Sequence, residues 1–464
     1  MRNHFYFWLA VPVAFVALLF LLVERSTTHR PFLVIGILSA RENFKQRNTL
    51  RNTWLKNRNS SVKYKFVVGS KHCDLHVSNR RDRYSCKSKE FEKIDESMRD
   101  GFPIMTSSVG IAQVEKVFWN ATLKVHHSVI VKSLGVSVAV HGSSVKVMIY
   151  DDSRDEVIVE ANGLHENNNL SLPYIYTGIE PIMLPEGFEG SLCIVGDNLA
   201  VDKQTMNNIG MTLPYSAGAV DIEYMDQSGN VHGIAEGMFL ASMHLSINDV
   251  EAFHKKLSLA GSLNAEHKEK QSLINEKLLE EMNVYQDILL VDVEDVYRNL
   301  PDKLLHFHVW VSKISPHFVL KTDDDCYVDV DAVLETLAKI PNQHKIWYGR
   351  FRHDWYVERY GKWAEKDFRS SEYPAFACGS CNIVSGDLSS WLASNVEYLH
   401  QFQGEDTSMG IWLSAVMPRY LEDERIQCEN MCSSDAIVIP ELSPEKIVEK
   451  WNNRLQCGNP CECV

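Results

Sequence analysis

The sequence predicts an α/β protein whose sheet is interrupted along the chain by an antiparallel β-rich, sandwich-like module. Three observations predict it. Short apolar runs with helix-patterned segments between them occur at residues 31–69 and again at 287–322, as parallel strands buried on both faces require. From about residue 106 to 246 the texture changes to apolar and polar residues in alternation, the mark of strands with one wetted face. A chain of 464 residues with 45% hydrophobic content can bury two or three cores.

The first element is Phe5–Val23, "FYFWLAVPVAFVALLFLLV", an uncharged run of 19 residues. As a helix it rises roughly 28 Å and nearly matches a bilayer's hydrocarbon core. We expect a membrane anchor there, with residues 1–4 as a cytoplasmic tail and 24–31 as a short stem. A cleaved signal peptide is the alternative, but "ERSTTHRP" offers no small-residue cleavage site. Arg2 and the amino terminus favour a cytoplasmic N-terminus, although Arg25 and Arg30 weaken the asymmetry. The bulk of the chain is then lumenal. Eleven cysteines, and sequons at Asn59, Asn120 and Asn169, agree with that compartment. The odd cysteine number leaves at least one thiol outside any intrachain pair. A net charge of −14 argues against a nucleic-acid surface, which needs a basic patch or stripe.

Residues 32–105 begin the α/β domain. "PFLVIGIL" reads as a buried strand, "SARENFKQRNTLRNTW" as a helix with Arg47 and Arg51 on one face, and "VKYKFVVG" as a second strand. Within the β-rich module, "VSVAVHGSSVKVMIYDDSRDEVIVEANG" is the clearest alternating stretch. Residues 247–464 return to the α/β pattern. A charged, Leu-spaced segment over 247–281 reads as one or two helices, "DILLVDV" as a strand, a helix starts near Pro301, and "HFVLKT" is another strand.

"FVLKT" delivers Asp323, Asp324 and Asp325 to a strand's carboxyl end, where open α/β sheets bind ligands. Extended geometry places Asp323 and Asp325 on one side and Asp324 on the other. Three carboxylates raise one another's pKa unless a cation is shared between them, and hard oxygen ligands suit Mn²⁺ or Mg²⁺ carrying a substrate's phosphates. A solvated acidic turn is the bland alternative. An EF-hand fails, because Val328 and Leu334 stand where Gly and Glu are needed. "GEDTSMG", residues 404–410, puts Glu405 and Asp406 at the start of an apolar helix, either as plain dipole-complementing charge or as a functional pair.

"RNTLRNTW", "FVVG", "DILLVDVEDVYRNLPDKL", "FVLKTDDDCYVDVDAVL", "YPAFACGS" and "GEDTSMG" occur in the order and approximate form of glycosyltransferase family 31, the β-1,3-glycosyltransferases, which this chain resembles. The likeness covers residues 33–69 and about 280–415; the β-rich module lies outside the usual core. The resemblance implies a GT-A fold, with its Rossmann-like nucleotide-sugar-binding domain, and inverting transfer from a UDP-sugar to a glycan or glycoprotein acceptor. It implies Asp325 as direct ligand of Mn²⁺, Asp323 facing the metal's waters or the ribose, and Asp324 and Lys321 beside the donor. Asp406 maps to the catalytic base with Glu405 next to it. Arg47 and Arg51 map to arginines that either support the nucleotide loop or form structural ion pairs. Trp363, Gly379 and Ser380 fall on the acceptor side; Trp54 reads as core.

"GKWAEKDFRSSEYPAFACGS", the long insertion and the cysteine-rich tail resemble a branch that moves N-acetylgalactosamine. That implies UDP-GalNAc as donor and the 3-hydroxyl of a terminal β-linked GlcNAc as acceptor, on O-mannosyl glycans of dystroglycan type, in the Golgi apparatus or endoplasmic reticulum as a single-pass type II protein. Transfer of galactose or N-acetylglucosamine by the same family is the alternative. A phosphohydrolase using Asp323 as nucleophile, or a non-catalytic carbohydrate-binding ectodomain, are readings of other classes. Two departures stand out. No histidine follows His400 to supply the metal, and Cys381 and Asn382 follow "CGS" where relatives carry Gly-Tyr. "CENMC" and "CGNPCEC" resemble zinc spacing, but in an oxidising lumen they are expected to form disulfides.

Overall fold

The computed structural model describes residues 30–56, 58, 60–89, 102–103, 119–152, 154–162, 174–201, 218–225, 231–232, 240–358, 363–365 and 367–463. The apolar run at 5–23, Asn59 and Asn169 lie outside the described residues; no helix among those described is long and apolar enough to cross a membrane.

The chain enters through Arg30, whose guanidinium donates to the carbonyls of Ser315 and Pro316. Strand β1 (Leu33–Leu38) is buried at every position. Its alternate side chains serve two cores: Leu33, Ile35 and Ile37 on one face, Val34 and Leu38 on the other. This double burial is why the run reads as continuously apolar. Helix α1 (Phe44–Asn52) and strand β2 (Val62–Lys71) follow.

The chain then builds an antiparallel sandwich. Its strands are β3 (Phe102–Pro103), β4 (Trp119–Val125), β5 (Val129–Ser137), β6 (Val140–Asp151), β7 (Glu156–Asn162), β8 (Tyr174–Leu184), β9 (Glu189–Val201), β10 (Val220–Met225), β11 (Val231–His232) and β12 (Ala241–Ile247). They form a six-stranded sheet, β11-β10-β4-β9-β6-β7, and a four-stranded sheet, β3-β12-β5-β8. The two enclose their own apolar core, from Ala121 to Phe253. Strand β3 pairs with β12, Phe102 opposite Leu245, so the chain enters and leaves this unit side by side. Asn120 sits half-buried on β4.

Helix α2 (Val250–Tyr285) runs unbroken for 36 residues, about 54 Å at the rise of an α-helix. It is one helix rather than two because every residue from 250 to 285 keeps a helical backbone and Gly261 causes no break. Phe253 near its start is packed in the sandwich core, and Leu278 near its end in the α/β core. One element thus belongs to both units.

The remaining elements are β13 (Ile288–Glu294), α3 (Leu300–Ser312), β14 (Phe318–Asp323), β15 (Tyr327–Val328), α4 (Val330–Ala338), β16 (Ile346–Arg352), β17 (Phe376–Ser385), α5 (Gly386–Ser394), α6 (Glu405–Ser414), β18 (Arg419–Glu422), β19 (Val438–Ile439) and α7 (Pro444–Cys457). Pro301 occupies the first turn of α3, where its missing N–H is not needed. The main sheet has the order β13-β2-β1-β14-β17-β16-β18. Its first four strands are parallel, β17 is antiparallel to both neighbours, and β18 runs parallel to β16. Helices α1, α4, α7 and the end of α2 cover one face; α3, α5 and α6 cover the other. From β1 the chain first steps outward to β2 and β13, then returns to place β14 on β1's other side. The strand order therefore reverses between β1 and β14, and it is beyond the carboxyl ends at such a reversal that open α/β sheets bind ligands.

Four disulfides, Cys73–Cys86, Cys378–Cys428, Cys432–Cys461 and Cys457–Cys463, leave Cys193, Cys326 and Cys381 as buried thiols. Cys432, Cys457, Cys461 and Cys463 of the tail are bonded among themselves and Cys428 to Cys378 of β17, as an oxidising compartment favours.

Candidate active site

The acidic residues gather at the carboxyl ends of β1 and β14. Leu38 and Asp323 end their strands in register. The Asp324 N–H donates to the Leu38 carbonyl at 3.1 Å, and the buried Asp324 carboxylate accepts from Asn43 Nδ2 at 3.0 Å. Burial raises the Asp324 pKa, opposed by its bonds from Ser39 and Asn43. Asp324 thus staples the loop after β1 to the acidic turn. Asp323 points with Lys321 in the opposite sense, as the two-residue period of a strand dictates.

Lys321 is the hub. Its buried ammonium lies 2.9 Å from Asp323 Oδ1 and 2.8 Å from Glu405 Oε1, and donates to the Gly379 carbonyl at 2.5 Å. Burial works against that charge, yet Asp323 and Glu405 hold its pKa above the ordinary lysine range. The Asp323 carboxyl is pushed up to about 7, first by burial and then by Glu405 and Asp325, against the pull of Lys321. One cation serves a group of carboxylates that exceeds it. Asp325 is partly exposed, and its carbonyl accepts from Leu442 N–H at 2.9 Å.

Glu405 and Asp406 form the first turn of α6, where the helix's free N–H groups favour negative charge. Thr407 N–H donates to Asp406 Oδ1 at 2.7 Å. Burial, followed by the adjacent Glu405, raises the Asp406 pKa to about 7. Gly379 stands over both carboxylates: a Cβ there would lie 3.5 Å from Glu405 Oε1 and 3.6 Å from Asp406 Oδ2. Ser380 is turned away, its hydroxyl donating to the Gln427 carbonyl at 2.8 Å.

The structure brings Lys321, Asp323, Glu405, Asp406 and Gly379 together. Arg47 and Arg51 lie behind the loop after β1. Arg47 is fully buried, bound to Glu281 and to the Ser39 hydroxyl and Ala40 and Arg41 carbonyls. Arg51 shares Glu281 at 2.6 Å and grips Asp287 through two bonds of 2.7 and 2.8 Å. Trp54 is core, its indole donating to the Cys326 carbonyl at 3.0 Å. Trp363 is 52% exposed, and its indole is hydrogen-bonded to the Tyr297 hydroxyl.

Sequence reasoning missed Glu281, Asn43 and Tyr297. Glu281 sits among many charges on α2, with nothing in the pattern to single it out. Tyr297 follows β13 at its carboxyl end, a position that could have marked it. The Tyr297 hydroxyl is pushed up to about 12 by burial and by the Glu405 and Asp406 charges.

Comparison with known proteins identifies the family. The galactosyltransferase family profile matches residues 264–420. The UDP-GalNAc:β-1,3-N-acetylgalactosaminyltransferase 2 of Xenopus laevis is 35% identical across 94% of this chain and 92% of its own length. The human protein of that name is 33% identical across 93% and 89%. Mouse β-1,3-galactosyltransferase 6 is 32% identical over 38% of this chain and 56% of its own. Since the likeness to the first two runs through the sandwich as well as the sheet, the chain belongs to glycosyltransferase family 31 and is a β-1,3-hexosyltransferase.

Proposed function

We propose that this enzyme transfers N-acetylgalactosamine from UDP-GalNAc, with inversion, to the 3-hydroxyl of a terminal β-linked GlcNAc, on O-mannosyl glycans of the dystroglycan type. The observation that carries the mechanism is Lys321 bridging Asp323 and Glu405, which sets the acidic turn and the base-bearing helix at one site. The donor sugar follows the name of the full-length relatives.

The catalytic unit is of GT-A type. Its residues fit a hard divalent cation, Mn²⁺ or Mg²⁺. The Asp323 carboxyl is pushed up to about 7, first by burial and then by the Glu405 and Asp325 charges that Lys321 does not fully offset. Among the described residues, the one His, Cys, Asp or Glu grouping tight enough to cage a metal is Cys73, Cys86 and Glu294, and its sulfurs are bonded to each other. An acidic turn without a closed cage suits a cation that completes its shell with substrate phosphates and water. Asp325 and Asp323 would hold it; when bound, it stabilises the charge on departing UDP. Asp324 fixes the loop against the donor, and Lys321 keeps Asp323 and Glu405 at their spacing. Asp406 takes the proton of the acceptor hydroxyl, on the sugar face opposite UDP. Its raised pKa matches a base working near neutral pH. The side chain of Gly379 is absent where the acceptor must approach both carboxylates.

The apolar run at 5–23 anchors the chain as a type II protein of the Golgi apparatus or endoplasmic reticulum, with the disulfide-bonded domain lumenal. A galactosyltransferase is the second reading, favoured by the match to mouse β-1,3-galactosyltransferase 6. Both are tested by assaying the chain with UDP-GalNAc, UDP-Gal and UDP-GlcNAc against a GlcNAc-β-mannoside. Transfer from UDP-GalNAc alone is expected; transfer from UDP-Gal alone selects the second reading, and no transfer from any donor defeats both.

A further inference from the structure

Three aromatic side chains, Tyr84, Tyr297 and Trp363, stand on segments that hydrogen bonds and one ring contact connect to each other, to the start of α6 and to the sandwich. The buried Glu365 carboxylate accepts from Gln403 N–H at 2.6 Å and from Phe368 N–H at 2.9 Å, which clamps the Trp363–Glu365 segment beside the start of α6. Arg298 Nη1 donates to the Ala364 carbonyl at 2.8 Å, and Arg298 N–H donates to the Tyr84 carbonyl at 3.1 Å. The Tyr84 and Tyr297 rings lie 5.7 Å apart at 57°. Tyr84 stands on a fixed turn. Asp82 accepts from the N–H groups of Tyr84 and Ser85, each at 2.8 Å, and the Cys73–Cys86 disulfide spans the segment. Just before it, Arg81 is paired with Asp221 of β10, which also binds His126 Nε2 at 2.9 Å.

Hydrogen bonds and a disulfide hold this arrangement, and Trp363 is half exposed. Aromatic rings with an apolar face and an engaged polar tip suit a ligand that is itself apolar on one face and hydroxylated at its edges. We propose that Tyr84, Tyr297 and Trp363 form a second sugar subsite, which binds the monosaccharide carrying the acceptor's terminal residue. The inference rests on the acceptor being a glycan, as proposed above. It also gives the sandwich a place in recognition, as the buttress that holds the Tyr84 turn through Asp221.

The test compares two acceptors on the full chain: the methyl β-glycoside of GlcNAc, and a disaccharide glycoside ending in the same β-GlcNAc. The ratio of kcat/KM for the disaccharide to that for the monosaccharide is expected to fall about tenfold in Tyr84→Ala and in Trp363→Ala, through KM; tenfold corresponds to about 1.4 kcal/mol. Tyr84→Phe, which keeps the ring, is expected to retain the wild-type ratio. The proposal is overturned if wild type shows no preference for the disaccharide, if both acceptors lose equally, or if KM for the UDP-sugar rises while the ratio stands. Should Tyr84→Ala fail to fold, Trp363→Ala decides. If wild type accepts neither GlcNAc compound, the terminal-sugar reading fails, and the same ratio is read on whichever terminal sugar is accepted.

Discussion

Lys321 and Glu405 form a buried ion pair of 2.8 Å across 84 residues of chain, and it ties the end of β14 to the first turn of α6. Removing the lysine leaves Glu405 and Asp323 facing each other with no shared cation. Breaking a buried pair from one side costs about 3–5 kcal/mol. Lys321→Met is therefore expected to lower the melting temperature and to weaken UDP binding together. Thermal unfolding checks the first and calorimetric titration with UDP the second; a variant with both unchanged would show that the pair is dispensable.

Glu281 receives both Arg47 and Arg51 on its carboxylate. Glu281→Gln keeps the shape and strips the charge, which leaves Arg47 buried without its counter-ion. The expected loss of stability is again about 3–5 kcal/mol, read as a shifted denaturant midpoint with unchanged m-value.

Asp406→Asn retains the side chain's shape but cannot accept a proton. Transfer is expected to fall by about 10²–10⁴-fold with UDP affinity preserved. In the wild type the base form is lost as pH falls through about 7, where the raised Asp406 pKa lies. The rate at low acceptor concentration should therefore rise with pH across that value and then level. A flat profile from pH 5.5 to 8 would move the base elsewhere.

Asp325→Ala is expected to abolish turnover that depends on Mn²⁺ while leaving the melting temperature of the metal-free protein unchanged or higher, because it relieves crowding of carboxylates. Strong activity of wild type in EDTA would defeat the metal assignment.

The sandwich encloses its own core, and its entry and exit strands are paired. Replacing residues 106–246 by a short Gly/Ser linker exposes Phe253, which that core buries. Combined with Phe253→Ser, the excision should leave transfer to a small GlcNAc glycoside measurable and reduce transfer to glycoprotein more steeply. A shortened chain with no cooperative melt would mean that α2 fuses the two units into one folding entity.

What the sequence displays and what it hides follow from separation along the chain. β1 and β14 are visible because double burial makes every residue apolar, and β5 and β6 because one wetted face enforces alternation. The shared face of Arg47 and Arg51 follows from their spacing of four, and the opposite facing of Asp323 and Asp324 from the strand period. The partner of those arginines is not visible: Glu281 lies 234 residues from Arg47, and only the pairing of β13 with β2 brings α2's end there. Nor is the contact of Lys321 with Glu405, since each belongs to a locally complete pattern, a strand and a helix start. Tyr84 could not be tied to Tyr297 without the disulfide-closed turn that aims it.

Arg30 and the site carboxylates lie at opposite ends of the main sheet. Arg30 is fastened at the amino ends of the parallel strands, against Ser315 and Pro316, while the carboxylates occupy the opposite ends. β14 spans six residues between them, about 20 Å at strand rise. If residues 5–23 anchor the chain as proposed, six residues separate the bilayer from Arg30, and the attachment point lies at the end of the sheet away from the carboxylates. The site would then face away from the attachment, toward glycans carried on proteins in the lumen rather than toward sugars at the headgroup level of the enzyme's own membrane.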